Sequence, residues 1–214
     1  MIAVQEDALE FVRRLEGGWD CIIFDPPYLP EDNIYSNKVD IYGSNTKKKA
    51  NYRWKNAFNI IYRLTISKQY LEELEREIVK KRAPRGFWIR FSNKRWDAEY
   101  NINWYKGRSY GGLGGYILRN TEYIMIDSWG GAKPDLKIGM FETEEHDPPK
   151  GEIALAKPVS LITKLLRFCR ATKVLDPFAG SYSTYKACLR LDVEIDTCDL
   201  YVPPPIISSN ELFS

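Results

Sequence analysis

An α/β domain with a mixed, mostly parallel sheet is the fold class that the sequence predicts, and three observations predict it. First, Cys21-Ile22-Ile23-Phe24 is a continuous apolar run that breaks at Asp25-Pro26-Pro27-Tyr28. This is the pattern of a buried parallel strand whose carboxyl end opens into a loop. Second, Lys173-Val174-Leu175 hands over at Asp176 to a small-residue loop, a helical stretch reaching Leu191 and a further strand that ends at Asp199, which makes a β-loop-α-β unit. Third, the 214 residues are 44% hydrophobic and 28% charged, a length and composition suited to one globular core.

The remaining elements follow in chain order. Ala8, Leu9, Val12 and Leu15 recur at helical spacing until Gly17-Gly18 ends the run. Residues 30–65 have no clean period and scatter Tyr35, Tyr42, Tyr52, Trp54, Phe58 and Tyr62 among polar residues, which predicts an irregular basic, aromatic insertion or lid. Tyr70, Leu71, Leu74 and Ile78 share one helical face, with Glu72/Arg76 and Glu77/Lys81 spaced as i,i+4 pairs, and Pro84-Arg85-Gly86 stops that helix. Strands are expected over residues 87–91, 102–105 and 123–126, the last two separated by a flexible glycine cluster at Gly111-Gly112-Leu113-Gly114-Gly115. Beyond a polar loop, Leu161, Ile162, Leu165, Leu166 and Cys169 mark a helix with Pro158 in its first turn. Pro203-Pro204-Pro205 opens an extended tail over residues 203–214.

Charge is balanced overall at +2 but distributed unevenly. Residues 38–110 hold 18 Lys or Arg against 7 Asp or Glu, so the remainder of the chain is acidic. Basic stretches interleaved with aromatics suit a nucleic-acid backbone and its bases, and an acidic region suits a cationic small ligand. Lys47, Lys48, Lys49, Arg53, Trp54 and Lys55 are the candidate phosphate and base contacts, with a solubilising loop tip as the alternative. The four cysteines form no C-x-x-C pair and His146 is the single histidine, so a zinc site, a disulfide framework or a histidine triad is not expected. With no apolar run of membrane length and no leader pattern, a cytoplasmic location without membrane or metal is the expectation.

Two constellations carry chemistry. An exocyclic amine is a poor nucleophile because its lone pair is delocalised into the ring, until acceptors hold its hydrogens and favour a tetrahedral nitrogen. Asp25 offers a carboxylate, the rigid Pro26-Pro27 pair turns a backbone carbonyl toward the same point, and Tyr28 offers a surface on which an extruded base stacks. The second constellation is Asp176-Pro177-Phe178-Ala179-Gly180-Ser181, with Asp199 ending the next strand. A strand, a small-residue loop and a helix start, followed by an acidic residue, is a geometry that binds nucleoside-containing cofactors, the acid accepting from ribose hydroxyls.

With those residues in view, the sequence resembles the beta-type amino-methyltransferases that transfer a methyl group from S-adenosylmethionine to adenine N6 or cytosine N4 in DNA. Asp25-Pro26-Pro27-Tyr28 is similar to their catalytic motif and Asp176-Pro177-Phe178-Ala179-Gly180-Ser181 to their cofactor motif. Lys157-Pro158 resembles the segment at the cofactor's methionine end, and Asp7 in Glu6-Asp7-Ala8-Leu9 resembles the aspartate near its adenine. Trp104-Tyr105-Lys106 and Thr121-Glu122-Tyr123 resemble the strands flanking the target pocket, which adds Lys106 to the nucleic-acid candidates.

The resemblance implies a Rossmann-like methyltransferase sheet in circularly permuted order, with the catalytic motif before the cofactor motif, in one domain over residues 1–214. It also implies DNA as partner, with a homodimer or partner subunit open, and a short target-recognition loop over residues 129–156. Adenine N6 is the favoured target. Cytosine N4 is the nearest alternative, and a nucleic-acid-binding pseudoenzyme with a decayed cofactor loop is an alternative of another class. That last reading rests on one departure: Tyr182 stands where the family pattern has glycine, and its ring either crowds the cofactor's approach or turns outward.

Overall fold

The structure, a computed structural model, describes residues 1–26, 66–92, 97–105, 121–136 and 157–200. The chain divides into two units, one of Met1–Asp25 with Glu77–Ser214 and one of Pro26–Arg76. In chain order the described elements are β1 (Ile2–Gln5), α1 (Ala8–Arg14), β2 (Cys21–Phe24), α2 (Lys68–Lys81), β3 (Gly86–Ser92), β4 (Tyr100–Tyr105), β5 (Thr121–Trp129), α3 (Val159–Cys169), β6 (Lys173–Asp176), α4 (Ser183–Leu191) and β7 (Glu194–Asp199). The expected insertion over residues 30–65, the glycine cluster and the tail lie outside the described residues, as does most of the 129–156 loop.

The strands form one seven-stranded sheet in the order β1-β7-β6-β2-β3-β5-β4. β5 runs antiparallel to both of its neighbours, and the other described pairs are parallel. Every residue of β2 is buried, as a central parallel strand covered on both faces requires. Cys21 and Ile23 join the cluster that Leu161, Ile162 and Leu165 of α3 and Ala187 and Cys188 of α4 complete, while Ile22 and Phe24 alternate to the other side and are equally buried. α1 packs against β7 and buries Phe11 and Val12 completely, worth about 1.5–3 kcal/mol for each side chain.

β1 was not among the expected strands. It is four residues long, only half-buried, and among the described residues pairs on one side alone, with β7, so its pattern in the sequence is weak. α2 forms as the periodicity predicts, with Ser67 Oγ accepting the Tyr70 amide at 3.1 Å, but its charges pair differently from the expected spacing. Arg76 Nε donates to the Glu72 carbonyl, and Glu77 pairs with Lys80 at 2.7 Å rather than with Lys81.

Lys81 is engaged elsewhere. Its ammonium donates to the carbonyls of Val12, Arg13 and Leu15 at 3.0, 2.6 and 2.7 Å, which terminates α1 with a positive charge at the negative end of its dipole.

The amino ends of the central strands are fastened by Asp20. Its carboxylate accepts from the amides of Thr172 and Lys173 and from the Thr172 hydroxyl, while its own carbonyl accepts the Phe87 amide. A Cβ at Gly86 would stand 2.2 Å from that carbonyl, so only glycine admits β3 this close to β2. Trp19, fully buried, adds a 2.9 Å bond from its indole Nε1 to Asp196 of β7.

Replacing Lys81 by methionine, which keeps the aliphatic stem, should lower the unfolding free energy by about 1.5–3 kcal/mol, the range of a charge-assisted hydrogen-bond group. Urea unfolding of Lys81→Met against the parent checks this. An unchanged midpoint would show that water replaces the ammonium without cost.

Candidate active site at the carboxyl edge of the sheet

Because β7, β6 and β2 are adjacent and parallel, the acids that end them come to the same edge of the sheet. These are Asp199, Asp176 and Asp25, the three carboxylates that the sequence motifs single out. β5 runs in the opposite direction, so its first residues reach that edge too, with Tyr123 opposite Ser92 and Ile124 opposite Phe91.

Lys157, just ahead of α3, is the ammonium among these acids. Its Nζ lies 3.1 Å from Asp25 Oδ2 and 3.4 Å from Glu122 Oε2, and stands 5.0 Å above the centroid of the Phe91 ring. The Lys157 and Glu122 side chains are 15% and 14% exposed, so the pairs sit where water screens charge weakly. Pro158 occupies the N-cap position of α3, and its carbonyl accepts the Ile162 amide.

The loop from β6 to α4 is built by hydrogen bonds to those acids. Asp176 Oδ1 accepts the Phe178 amide at 3.1 Å, and the Thr184 hydroxyl also donates to this carboxyl group. Asp199 Oδ2 accepts the Gly180 amide at 2.9 Å, and the Ala179 amide donates to the Cys198 carbonyl. Gly180 has φ +51, and the nearest atom to a Cβ built there is the Phe178 carbonyl oxygen at 3.9 Å. The described residues leave room beside this glycine, so substitution there would be resisted by backbone strain. The Phe178 ring stands edge-on to Phe24 at 5.3 Å, which ties the loop to β2.

Burial pushes the Asp176 carboxyl up from its ordinary value of 3.8 to about 7, with the charges of Asp25 and Asp199 acting in the same direction and the Thr184 and Phe178 donors opposing. The four cysteines are buried free thiols. Cys21 is raised well above its usual range, first by a thiol hydrogen bond with Cys169 and then by burial, and burial raises Cys188 and Cys198 as well.

Similarity to known proteins is found in structure. No protein-family model and no curated protein sequence matches the chain. M1.HpyAVI, solved as a SAM complex, superposes with a TM-score of 0.58 over 92% of this chain and 92% of its own, at 17% identity. TTHA0409 from Thermus thermophilus, complexed with S-adenosyl-L-methionine, superposes at 0.52 and 18% identity over 92% of this chain and 88% of its own. The PvuII DNA methyltransferase, cytosine-N4-specific, superposes at 0.59 and 10% identity over 98% of this chain and 89% of its own. The chain has the fold of DNA modification methyltransferases.

Within this methyltransferase fold, Asp25, Lys157, Asp176, Phe178, Ala179, Gly180 and Asp199 gather at one edge of the sheet. Ser181 shares a 2.9 Å hydroxyl contact with Ser183. Asp7 is the N-cap of α1, its Oδ1 accepting the amides of Leu9 and Glu10 at 3.0 and 3.2 Å, so a structural task accompanies any contact with a ligand. Pro26 opens the second unit. Pro27, Tyr28, Lys47, Lys48, Lys49, Arg53, Trp54, Lys55 and Lys106 lie outside the described residues.

Phe91 went unrecognised as a site residue in the sequence, and Glu122 was placed on a strand flanking the target pocket without its pairing to Lys157. An acid inside an apolar strand was the available signal for Glu122, whereas Phe91 looked like any other core aromatic. Tyr182, expected either to crowd the cofactor or to turn outward, does not turn outward. Its ring is 1% exposed within the protein body, and its hydroxyl donates to the Val4 carbonyl at 3.3 Å.

The raised Asp176 value has a consequence for stability. A carboxyl that keeps its proton longer when folded favours the folded state below about pH 4, and this contribution is lost as the pH rises through about 7. The span from 3.8 to about 7 is worth at most about 4 kcal/mol. Asp176→Asn, which cannot ionise, should therefore gain stability relative to the parent as pH rises from 4 to 8, read by urea unfolding at each pH. Parallel pH profiles would show that Asp176 is ionised throughout.

Proposed function

We propose that this chain is an S-adenosylmethionine-dependent DNA methyltransferase that acts on adenine N6. The observation that carries the reading is Asp25 at the carboxyl end of β2, one strand from Asp176 and its small-residue loop, so that an amine-holding acid and a nucleoside-binding loop share one edge. The likeness in fold to a DNA methyltransferase supports the same reading. The strand that carries Asp25 precedes the strand that carries Asp176 in the chain, and we read that order as the permuted, beta-type arrangement.

The residues at this edge suit the proposed cofactor. Among the described residues at this edge, carboxylates outnumber the ammonium of Lys157, which favours a cationic ligand, and the described residues leave beside Gly180 the space that a close-approaching nucleoside needs. When bound, S-adenosylmethionine supplies an activated methyl group. Asp176, Phe178, Ala179, Gly180 and Ser181 form the cradle for it, and Asp199 accepts from the ribose while its Oδ2 holds Gly180. Lys157 and Pro158 stand at the methionine end, and Asp7 fixes where β1 ends and α1 begins.

On the target side, Asp25 and the Pro26 carbonyl accept the two amine hydrogens, so that the nitrogen lone pair is directed out of the ring plane, and Tyr28 stacks on the flipped base. Lys157 orients the Asp25 carboxylate, and Glu122 holds Lys157 from the other side. DNA phosphates are bound by Lys47, Lys48, Lys49, Arg53, Lys55 and Lys106, with Trp54 as a stacking surface.

Cytosine N4 is the second reading, supported by the fold likeness to the cytosine-N4-specific PvuII enzyme over 98% of this chain. Against the pseudoenzyme reading stands the Tyr182 ring, which packs within the protein body and does not turn out to solvent.

Incubation of the purified protein with unmethylated DNA and labelled S-adenosylmethionine, followed by nucleoside mass spectrometry, tests the function. N6-methyladenine is the expected product; N4-methylcytosine would establish the second reading, and no methylated nucleoside would sink both. Asp25→Ala should lower single-turnover methyl transfer by about 100-fold or more while leaving the fold and cofactor binding intact. Near-normal turnover in that variant would remove Asp25 from the mechanism.

For the DNA contacts, changing Lys47, Lys48 and Lys49 together to alanine should weaken binding to all sequences alike and reduce the log-log salt slope by up to about three. An unchanged slope would return the triplet to the solvated surface.

A further inference from the structure

Tyr182 begins α4 in the left-handed region, with φ 58 and ψ 29, a conformation that a glycine adopts at much lower cost. Its backbone is held on both sides. The amide donates to the Ala179 carbonyl at 2.7 Å, and the carbonyl accepts the Lys186 amide at 3.0 Å. These bonds fix the direction of the side chain, which passes edge-on to Tyr185 with ring centroids 6.4 Å apart and brings its hydroxyl to the Val4 carbonyl.

Val4 belongs to β1, which lies at the end of the strand order and, among the described residues, pairs with β7 alone. Directly beyond Gln5, the Glu6 amide donates to the Asp199 carbonyl at 3.1 Å, and Asp7 caps α1. Asp199 thus holds two segments at once, its backbone carbonyl the end of β1 and its carboxylate the Gly180 loop. Tyr182 is a second connection between the same two segments, reaching from the loop to the strand across 178 residues of sequence.

We infer that Tyr182 is a positioning residue that ties β1, with Glu6 and Asp7 at its end, to the Gly180 loop, so that two walls of the nucleoside pocket keep a fixed separation. The inference rests on the proposed function for the identity of the ligand, and on the Val4 bond alone for the tie. A glycine at this position would preserve the loop turn and lose the connection. In this chain the tyrosine therefore acts as part of the site's frame.

Tyr182→Phe isolates the tie, because it keeps the ring, its burial and the left-handed backbone and removes only the hydroxyl. Amide hydrogen exchange over residues 2–7, read by mass spectrometry on the full chain, should quicken by about 3- to 10-fold, the equivalent of one hydrogen bond. Exchange over β2 and β6 should not change. Titration with S-adenosylhomocysteine, the demethylated product of the proposed cofactor, should show a Kd weakened by a similar factor.

Unchanged exchange over residues 2–7 would overturn the tie and leave Tyr182 as a space-filling ring. Faster exchange with an unaltered Kd would overturn its positioning of the pocket. Failure of the parent protein itself to bind S-adenosylhomocysteine would count against the proposed function, and the exchange comparison would still decide the tie.

Discussion

Three like charges ending three neighbouring strands impose the constraint on which this site is built. Parallel strands lie about 4.8 Å apart, so Asp199, Asp176 and Asp25 are brought within mutual influence simply by closing the sheet. Each is then answered in a different way. Asp25 receives the Lys157 ammonium, Asp199 receives the Gly180 amide, and Asp176, the most deeply buried, receives the Phe178 amide and the Thr184 hydroxyl yet still favours its proton up to about pH 7. Two of these donors are backbone amides of one loop, so the charges and the loop conformation are a single arrangement. A change that freed either carboxylate would also release the loop.

The opposite edge of the sheet shows how the position along a strand decides what an aspartate does. Asp20 precedes β2 as Asp25 follows it, but Asp20 is given donors from Thr172 and Lys173 and becomes a fastening among three strands. Its bonds, the Trp19 indole on Asp196 and the Lys81 ammonium at the end of α1 make the amino edge a dense set of satisfied polar groups. The carboxyl edge holds Asp176 buried and Asp25 and Asp199 half-buried, each partnered by the ion pairs or the loop. The fastened amino edge fixes the strand ends on which these acids stand.

Most of the frame was legible because its signals are local. β2 and β6 announce themselves as short apolar runs ending in an acid, β7 follows from its place after the loop and helix of the β-loop-α-β unit, and α3 from an unbroken helical period; the turn residues bounding them leave few other topologies. β1 was missed because a short edge strand needs no strong apolar pattern, its pairing with β7 being made from the far end of the sequence. The helix-face pairs were read from spacing alone, and Lys81 shows why that falls short: three carbonyls at the end of α1 offer an ammonium more than one solvated glutamate does. Asp25, Asp176 and Asp199 were singled out by motif. The role of Phe91 and the pairing of Glu122 with Lys157 needed contacts between segments distant in sequence, which no local window contains.

Tyr182 is where local rules and the fold disagree, and magnitudes decide between them. A non-glycine residue in the left-handed region costs about 1–2 kcal/mol, whereas burying a large aromatic side chain returns about 1.5–3 kcal/mol before any hydrogen bond is counted. With 1% of its surface exposed, Tyr182 realises nearly all of that burial, so the strain at its backbone is sustained by the packing of its ring. A smaller residue there would carry the same strain without the compensation, and a glycine would relieve the strain but leave a ring-sized void between the loop and β1. The strained backbone and the buried ring are therefore one solution, in which the packing of Tyr182 sustains the left-handed turn that begins α4.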